Sequence, residues 1–97
     1  MVNAVVLVQC EVDAIPEAAQ AIADLEGVSE VYSVAGEVDL VAIVRVRDHE
    51  DLARVIPGGV AKVPGVERTE TLIAFQVYSR HDLEAMFSVG FESAENA

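Results

Sequence analysis

The sequence has 97 residues, of which 17 are acidic and 6 are basic, so its formal net charge is −11. This length permits one domain, and a hydrophobic fraction of 53% supplies too much apolar surface for a disordered chain. No uncharged apolar stretch approaches the roughly 18–20 residues that a membrane-spanning helix needs. Because nucleic-acid binding depends on lysine and arginine, and the basic residues are scattered singly along the chain, direct contact with DNA or RNA is not expected.

Cys10 is the single cysteine, so the chain cannot form an internal disulfide. It lies in an apolar run and is predicted to be a small core residue. With no recognisable export signal at the start of the sequence, we expect a cytoplasmic protein. We expect no cofactor and no metal site, because neither His49 nor His81 has a second histidine at helical spacing.

The first half of the chain predicts a strand, a helix and a second strand. Ala4 to Val12 is valine-rich, as strands are. A helix follows, with Pro16 in its first turn and Gly27 as its stop signal. Its apolar residues recur at helical spacing: Ile15, Ala18, Ala19, Ile22 and Leu25. After a short second strand, Gly36 predicts a tight hairpin into a third strand over Leu40 to Val46.

The second half predicts a helix, a strand and a terminal helix. Asp48 is a good N-cap for the second helix, which Pro57-Gly58-Gly59 is expected either to kink or to divide into two pieces. Val66 to Tyr78 is predicted to be a long final strand, closing a domain of residues 1–80. Ser79-Arg80-His81-Asp82 is similar to a capping box, and residues 81–97 are predicted to form an amphipathic C-terminal helix with a frayed tail.

The order β-α-β-β-α-β predicts an α+β protein with a ferredoxin-like antiparallel sheet and two helices on one face. In the third strand, Leu40, Ala42 and Val44 alternate with Val41 and Ile43, so both faces of the sheet are apolar. Two helices cover only one face, and soluble monomers avoid large exposed apolar patches. We therefore expect a homodimer through the other face, a dimeric α/β sandwich.

Several short motifs resemble the effector domain of the Lrp/AsnC regulators, called the RAM domain. Gly27-Val28 and then Val34-Ala35-Gly36-Glu37-Val38-Asp39-Leu40 are similar to the family's Gly-Val and Val-Thr-Gly-x-Tyr-Asp-Leu. Pro64-Gly65-Val66 with Thr69-Glu70-Thr71 is similar to its Gly-Val-x-x-Thr-x-Thr. The resemblance extends from about Val5 to Tyr78, in the same order and spacing, and it implies the ferredoxin-like fold.

This resemblance implies an amino-acid sensor rather than an enzyme, whose dimers assemble into octamers or decamers. In the family the ligand lies between dimers, beside the hairpin after the second strand and near the last strand of a neighbour. The ligand-binding residues so implied are Gly36, Glu37, Val38, Asp39, Leu40, Thr69 and Thr71.

Full-length members also carry a helix-turn-helix, whereas this sequence starts at Met1 directly in its first strand. It therefore resembles a stand-alone RAM domain that modulates transcriptional or metabolic regulation without binding DNA itself. Such a domain is expected to assemble with copies of itself, or with full-length relatives.

The implied site residues also have structural explanations. Gly36 suits a turn that needs positive φ. Asp39 either caps the turn or binds the α-ammonium of an amino acid. Thr69 and Thr71 have the β-branched side chains that are common in strands.

Two other functions stay open. Ala35 replaces the family's usual threonine and Val38 its usual aromatic residue, which favours a structural assembly module with a vestigial pocket. The fold also occurs in small dimeric enzymes, which need polar catalytic groups that face a cavity between sheet and helices.

Overall fold

The computed structural model describes residues 1–78 and Arg80. Its strands and helices are β1 (Val2–Cys10), α1 (Ile15–Ala23), β2 (Val28–Ser33), β3 (Leu40–Val46), α2 (His49–Val55) and β4 (Val66–Ile73). The sheet has the order β2-β3-β1-β4, and every pair is antiparallel. This arrangement confirms the predicted ferredoxin-like α+β fold. The predicted C-terminal helix and tail (81–97), and the capping box from Ser79, lie outside the described residues.

The hydrophobic core lies between one face of the sheet and the helices. Alternate residues of β1 and β3 are buried there: Ala4, Val6, Val8, Cys10, Leu40, Ala42, Val44 and Val46. The helices and the turn after α2 supply Ala18, Ile22, Leu52, Val55, Ile56, Val60 and Val63. Each fully buried aliphatic side chain of the valine or leucine size contributes about 1.5–3 kcal/mol. Cys10 is only 5% exposed, which confirms its predicted place in the core.

The helix boundaries follow the capping residues. Pro16 lies in the first turn of α1, and Gly27 follows the helix with a φ of 102°. At the start of α2, the backbone N–H of Asp48 donates to Oδ2 of Asp51 at 3.3 Å. As predicted, the second helical segment is in two pieces, since α2 is separated from a short 3-10 turn at Val60–Lys62.

The first strand is two residues shorter at its end than predicted. The β1–β4 register shifts between Gln9 and Cys10, and the N–H of Glu11 donates to the carbonyl of Gly65 at 2.8 Å, outside the strand ladder. Val12 instead begins a short 3-10 turn, Val12–Ala14, where it is 82% exposed.

The predicted tight hairpin at Gly36 is wrong. A longer loop, residues 34–39, connects β2 to β3 and is closed by a hydrogen bond of 3.0 Å from Val34 N–H to the Asp39 carbonyl. Gly36 lies at its exposed tip with a φ of 148°, a conformation that glycine adopts readily.

The final strand ends at Ile73 and not at Tyr78. β4 pairs with β1, and Ala4 lies opposite Ile73. One further hydrogen bond, from Ala74 N–H to the Asn3 carbonyl at 2.9 Å, brings the pairing close to the beginning of β1. After Ala74 the chain extends past the beginning of β1, so its backbone has no neighbouring strand with which to pair.

The second sheet face, called the open face below, carries no helix of the described residues. Its apolar side chains are Val5, Leu7, Tyr32, Val41, Ile43 and Leu72. Tyr32 and Leu72 are each 49% exposed. Among the described helices, none is long and apolar enough to cross a membrane.

Candidate functional site

A cleft of about 170 Å³ lies at one end of the open face, where the β2–β3 loop approaches β1 and β4. It is lined by Leu7, Gln9, Glu37, Val38, Arg68, Thr69 and Glu70. Leu7 lies opposite Glu70 in the β1–β4 register, and Gln9 lies opposite Arg68. This pairing brings the side chains of two strands to the same patch of the sheet.

Three hydrogen bonds fix the β2–β3 loop against β1. Gln9 Nε2 donates to the carbonyl of Glu37 at 3.0 Å. The Asp39 N–H donates to the carbonyl of Val8 at 2.9 Å, and Asp39 Oδ2 accepts from the Cys10 N–H at 2.8 Å. The wall that carries Glu37 and Val38 is therefore held in place by β1.

Asp39 joins the β2–β3 loop to the end of β1. Its carboxylate receives the Cys10 N–H at the shift in β1–β4 register, where a strand ladder loses its regular partner. This contact is structural, but it reaches β1 and does not lie within the turn, so it differs from the turn cap that the sequence suggests. Burial raises the pKa of the Cys10 thiol, and the nearby carboxylates of Asp39 and Glu67 raise it further.

The structure places the implied ligand-binding residues in three groups. Glu37, Val38 and Thr69 line the cleft, although Thr69 lies opposite the core residue Val8, on the other face of β4 from Arg68 and Glu70. Gly36 and Asp39 belong to the same loop, at its tip and its base. Leu40 and Thr71 lie elsewhere: the Leu40 side chain is fully buried in the core, and Thr71 pairs with the core residue Val6, away from the open face.

Four cleft residues were not anticipated from the sequence: Leu7, Gln9, Arg68 and Glu70. The alternation of side chains along β4 could have indicated two of them, because Arg68 and Glu70 lie on the same face of the strand as Leu72. Thr69 and Thr71 lie on the other face. The remaining information lies in the register between β1 and β4, which no local pattern specifies.

The charges around the cleft are of both signs. Arg68 supplies one guanidinium, and Glu37 and Glu70 supply two carboxylates, while Leu7 and Val38 supply apolar surface. Such a lining suits a small ligand with both an anionic and a cationic group. Within the part of the chain that the structure describes, no cluster of three or more His, Cys, Asp or Glu side chains is placed to bind a metal ion.

Comparisons with known proteins give the same fold. The crystal structure of TTHA0845 from Thermus thermophilus matches with a TM-score of 0.78 and 48% identity, over 82% of this chain and 100% of that one. A transcriptional regulator of Neisseria meningitidis, crystallised as an L-Met complex, shares the fold with a TM-score of 0.73 at 15% identity, over 81% of this chain and 53% of its own.

An uncharacterized HTH-type transcriptional regulator of Pyrococcus horikoshii is 39% identical over 59 residues. These residues are 61% of this chain, which spans 39% of the length of that relative. The family model of the Lrp/AsnC ligand binding domain matches residues 3–83. This range covers the cleft and the described strands and helices, except for Val2 at the start of β1. The chain therefore belongs to the Lrp/AsnC ligand-binding domain family.

Proposed function

We propose that this domain binds a small free amino acid in the cleft and regulates by changing its assembly, without catalysis and without contacting DNA itself. The observation that carries the proposal is the cleft lining, in which Arg68 stands with Glu37 and Glu70 beside apolar side chains. Membership of a family of ligand-binding domains supports the same conclusion.

The charges of an amino acid match those of the cleft. The Arg68 guanidinium pairs with the α-carboxylate, since its planar fork suits two oxygen atoms. Glu37 or Glu70 pairs with the α-ammonium, and Leu7 and Val38 contact the side chain of the ligand. The volume of about 170 Å³ favours a small ligand. The L-Met complex of the Neisseria meningitidis regulator supports an amino acid as the ligand class.

The proposed assembly begins with a homodimer through the open face. Its apolar side chains include Tyr32 and Leu72, both 49% exposed in the single chain, and contact with a second copy removes them from water. The cleft lies at the margin of this face, where another dimer of an octamer or decamer closes it. Full-length members of the family contain the same fold and are candidate partners.

A thermal-shift panel of the twenty amino acids tests the ligand. An amino acid at about 100 times its Kd stabilises the fold by about 2.7 kcal/mol, which for a domain of this size raises Tm by roughly 4–8 °C. We expect Arg68→Gln to abolish the shift, and Glu37→Gln or Glu70→Gln to abolish it according to which carboxylate pairs with the α-ammonium. Lys62→Gln and Glu50→Gln change the charge by the same amounts outside the cleft, so they should leave the shift unchanged.

The same panel separates two functions. If no amino acid raises Tm while the protein still forms oligomers, the sensor proposal fails and the domain is a structural assembly module. Val38 and Ala35, where the family resemblance has an aromatic residue and a threonine, favour this second function. Sedimentation velocity with and without the best ligand measures whether the assembly responds, which the sensor requires and the module does not.

A further inference from the structure

The lining of the cleft that is proposed to bind an amino acid has an excess of negative charge. Within the described chain, Arg68 is its one basic residue, whereas Glu37 and Glu70 supply two carboxylates, which gives a formal charge of −1. The other lining residues are uncharged: Leu7, Gln9, Val38 and Thr69. An amino acid with a neutral side chain has one α-ammonium group to pair with these two carboxylates, so one of them stays without a cation.

Neither carboxylate is used by the fold. Among the described residues, the side chains of Glu37 and Glu70 form no ion pair and accept no hydrogen bond. Glu37 is joined to β1 through its backbone instead, since its carbonyl accepts from Gln9 Nε2 at 3.0 Å. Arg68 likewise pairs with no described acid. All three charged groups are therefore available to a ligand.

The three charged groups border one small volume. Arg68 and Glu70 are alternate residues of β4, so their side chains project from the same face, with Cα atoms about 6.6 Å apart. That face is the open one, because Arg68 lies opposite Gln9 and Glu70 lies opposite Leu7. Glu37 comes from the loop that Gln9 binds, and the cleft that all of them line measures about 170 Å³. A single small molecule can therefore reach the guanidinium and both carboxylates.

We propose that this cleft prefers an amino acid with a positively charged side chain, an inference that rests on the proposed function. Arg68 pairs with the α-carboxylate, one glutamate with the α-ammonium, and the other glutamate with the cation at the end of the side chain. Such a ligand has one net positive charge at pH 7 and neutralises the lining. A neutral amino acid leaves a carboxylate unpaired when a neighbouring dimer closes the cleft, and removing an unpaired charge from water is costly.

Two further features favour a cation over a neutral or acidic group. Gln9 uses Nε2 to bind the loop, which leaves its Oε1 atom as an acceptor in the lining. A side-chain ammonium has three N–H donors, so it can pair with a carboxylate and an amide oxygen at once. In addition, the net charge of −11 attracts a positive ligand and repels free aspartate or glutamate.

Calorimetric titration of the full chain at constant ionic strength tests the preference, with lysine, ornithine, arginine and norleucine as ligands. Norleucine has the carbon chain of lysine without the terminal amine, so it isolates the contribution of that charge. We expect the best cationic ligand to bind about tenfold or more tightly than norleucine, as one charge-assisted contact allows. Its decarboxylated analogue, which is cadaverine for lysine, should bind about tenfold or more weakly than the amino acid, although it carries more positive charge.

Two variants should divide the roles of the glutamates. Of Glu37→Gln and Glu70→Gln, the one that removes the α-ammonium partner should abolish the binding of every amino acid. The other should keep the norleucine affinity within about twofold and reduce the affinity for the cationic ligand to that of norleucine. Glu50→Gln makes the same change on α2, outside the cleft, and should keep the full preference. Far-UV circular dichroism confirms that each variant is folded.

Each contrary result has a distinct meaning. Equal affinities for norleucine and the cationic ligands would overturn this inference and leave an amino-acid sensor in place. So would a preference that survives in both Glu37→Gln and Glu70→Gln, a loss of norleucine binding in both, or a preference that disappears in Glu50→Gln. A decarboxylated analogue that binds as tightly as its amino acid would assign the preference to the overall charge of the chain. If no amino acid binds, the proposed function itself fails, and this inference fails with it.

Discussion

Asp39 Oδ2 accepts a hydrogen bond of 2.8 Å from the backbone N–H of Cys10, where the register between β1 and β4 shifts. The same residue uses its own N–H and carbonyl to bond Val8 and Val34. The side chain and both backbone groups of Asp39 thus join the end of β1 to the loop that walls the cleft. Asp39 therefore has a structural role in the fold itself.

Replacing this carboxylate should destabilise the domain. Asp39→Ala leaves the Cys10 N–H without its acceptor, and we expect a loss of about 1–2 kcal/mol in the free energy of unfolding. Asp39→Asn keeps an acceptor oxygen and should cost less. Urea unfolding measures both values. Asp13→Ala, at an exposed position, is the control, and a cost equal to that of Asp39→Ala would contradict the assigned role.

Two glycines should differ in their tolerance of alanine. Gly36 has a φ of 148° and open space around it, so Gly36→Ala should lose about 1 kcal/mol from backbone strain alone. At Gly27 the φ is 102°, and a new Cβ would also press on Val55 and Val46. Gly27→Ala should therefore cost about 1–3 kcal/mol more. Thermal unfolding compares the two variants, and equal losses would show that the close packing at Gly27 has no energetic effect.

The Cys10 thiol should contribute a pH dependence in the alkaline range. Burial and the nearby carboxylates raise its pKa in the folded protein. As the pH rises through the ordinary cysteine value of about 8.5, the unfolded chain loses this proton first, so the free energy of unfolding falls toward the folded pKa. The stability difference between wild type and Cys10→Ala should shrink over that range. Chemical unfolding in a pH series measures it, and a constant difference would refute the prediction.

Charges on the open face should dissociate the proposed dimer. Val41 lies in an inner strand of this face and Leu72 in an edge strand. Val41→Glu and Leu72→Glu would each bring a desolvated carboxylate into the contact, which weakens association strongly. Val12→Glu adds the same charge at a site that is 82% exposed and off the sheet. Sedimentation equilibrium should show smaller species for the first two variants only, and unchanged assembly in all three would exclude this face.

The sequence was sufficient for the order of the described strands and helices and for the alternation along the strands, but it did not specify which apolar face of the sheet forms the core. In β3, every second residue from Leu40 to Val46 is buried, as the alternating pattern predicts. The limits of β4 were not predictable in this way, because Val66 to Tyr78 has strand-like composition throughout. Its end at Ile73 depends on where β1 begins, and that is a property of the pairing between two distant segments.

The cleft, too, depends on pairing between distant segments, which the sequence does not specify. The loop residues Glu37 and Val38 belong to a short motif and were found from it. Arg68 and Glu70 come from another strand, and their place beside Gln9 depends on the antiparallel register.

The sheet order has a consequence for the synthesis of the chain. β1 precedes the other described strands along the chain and lies inside the sheet, but its partner β4 is the last of these strands and ends at Ile73. A ribosome therefore releases an apolar strand that must wait for nearly the whole domain before both of its edges are paired. Chains that depend on such distant pairing fold slowly and are prone to associate in the meantime. During this interval, the high negative charge of the chain is its main protection against other copies of itself.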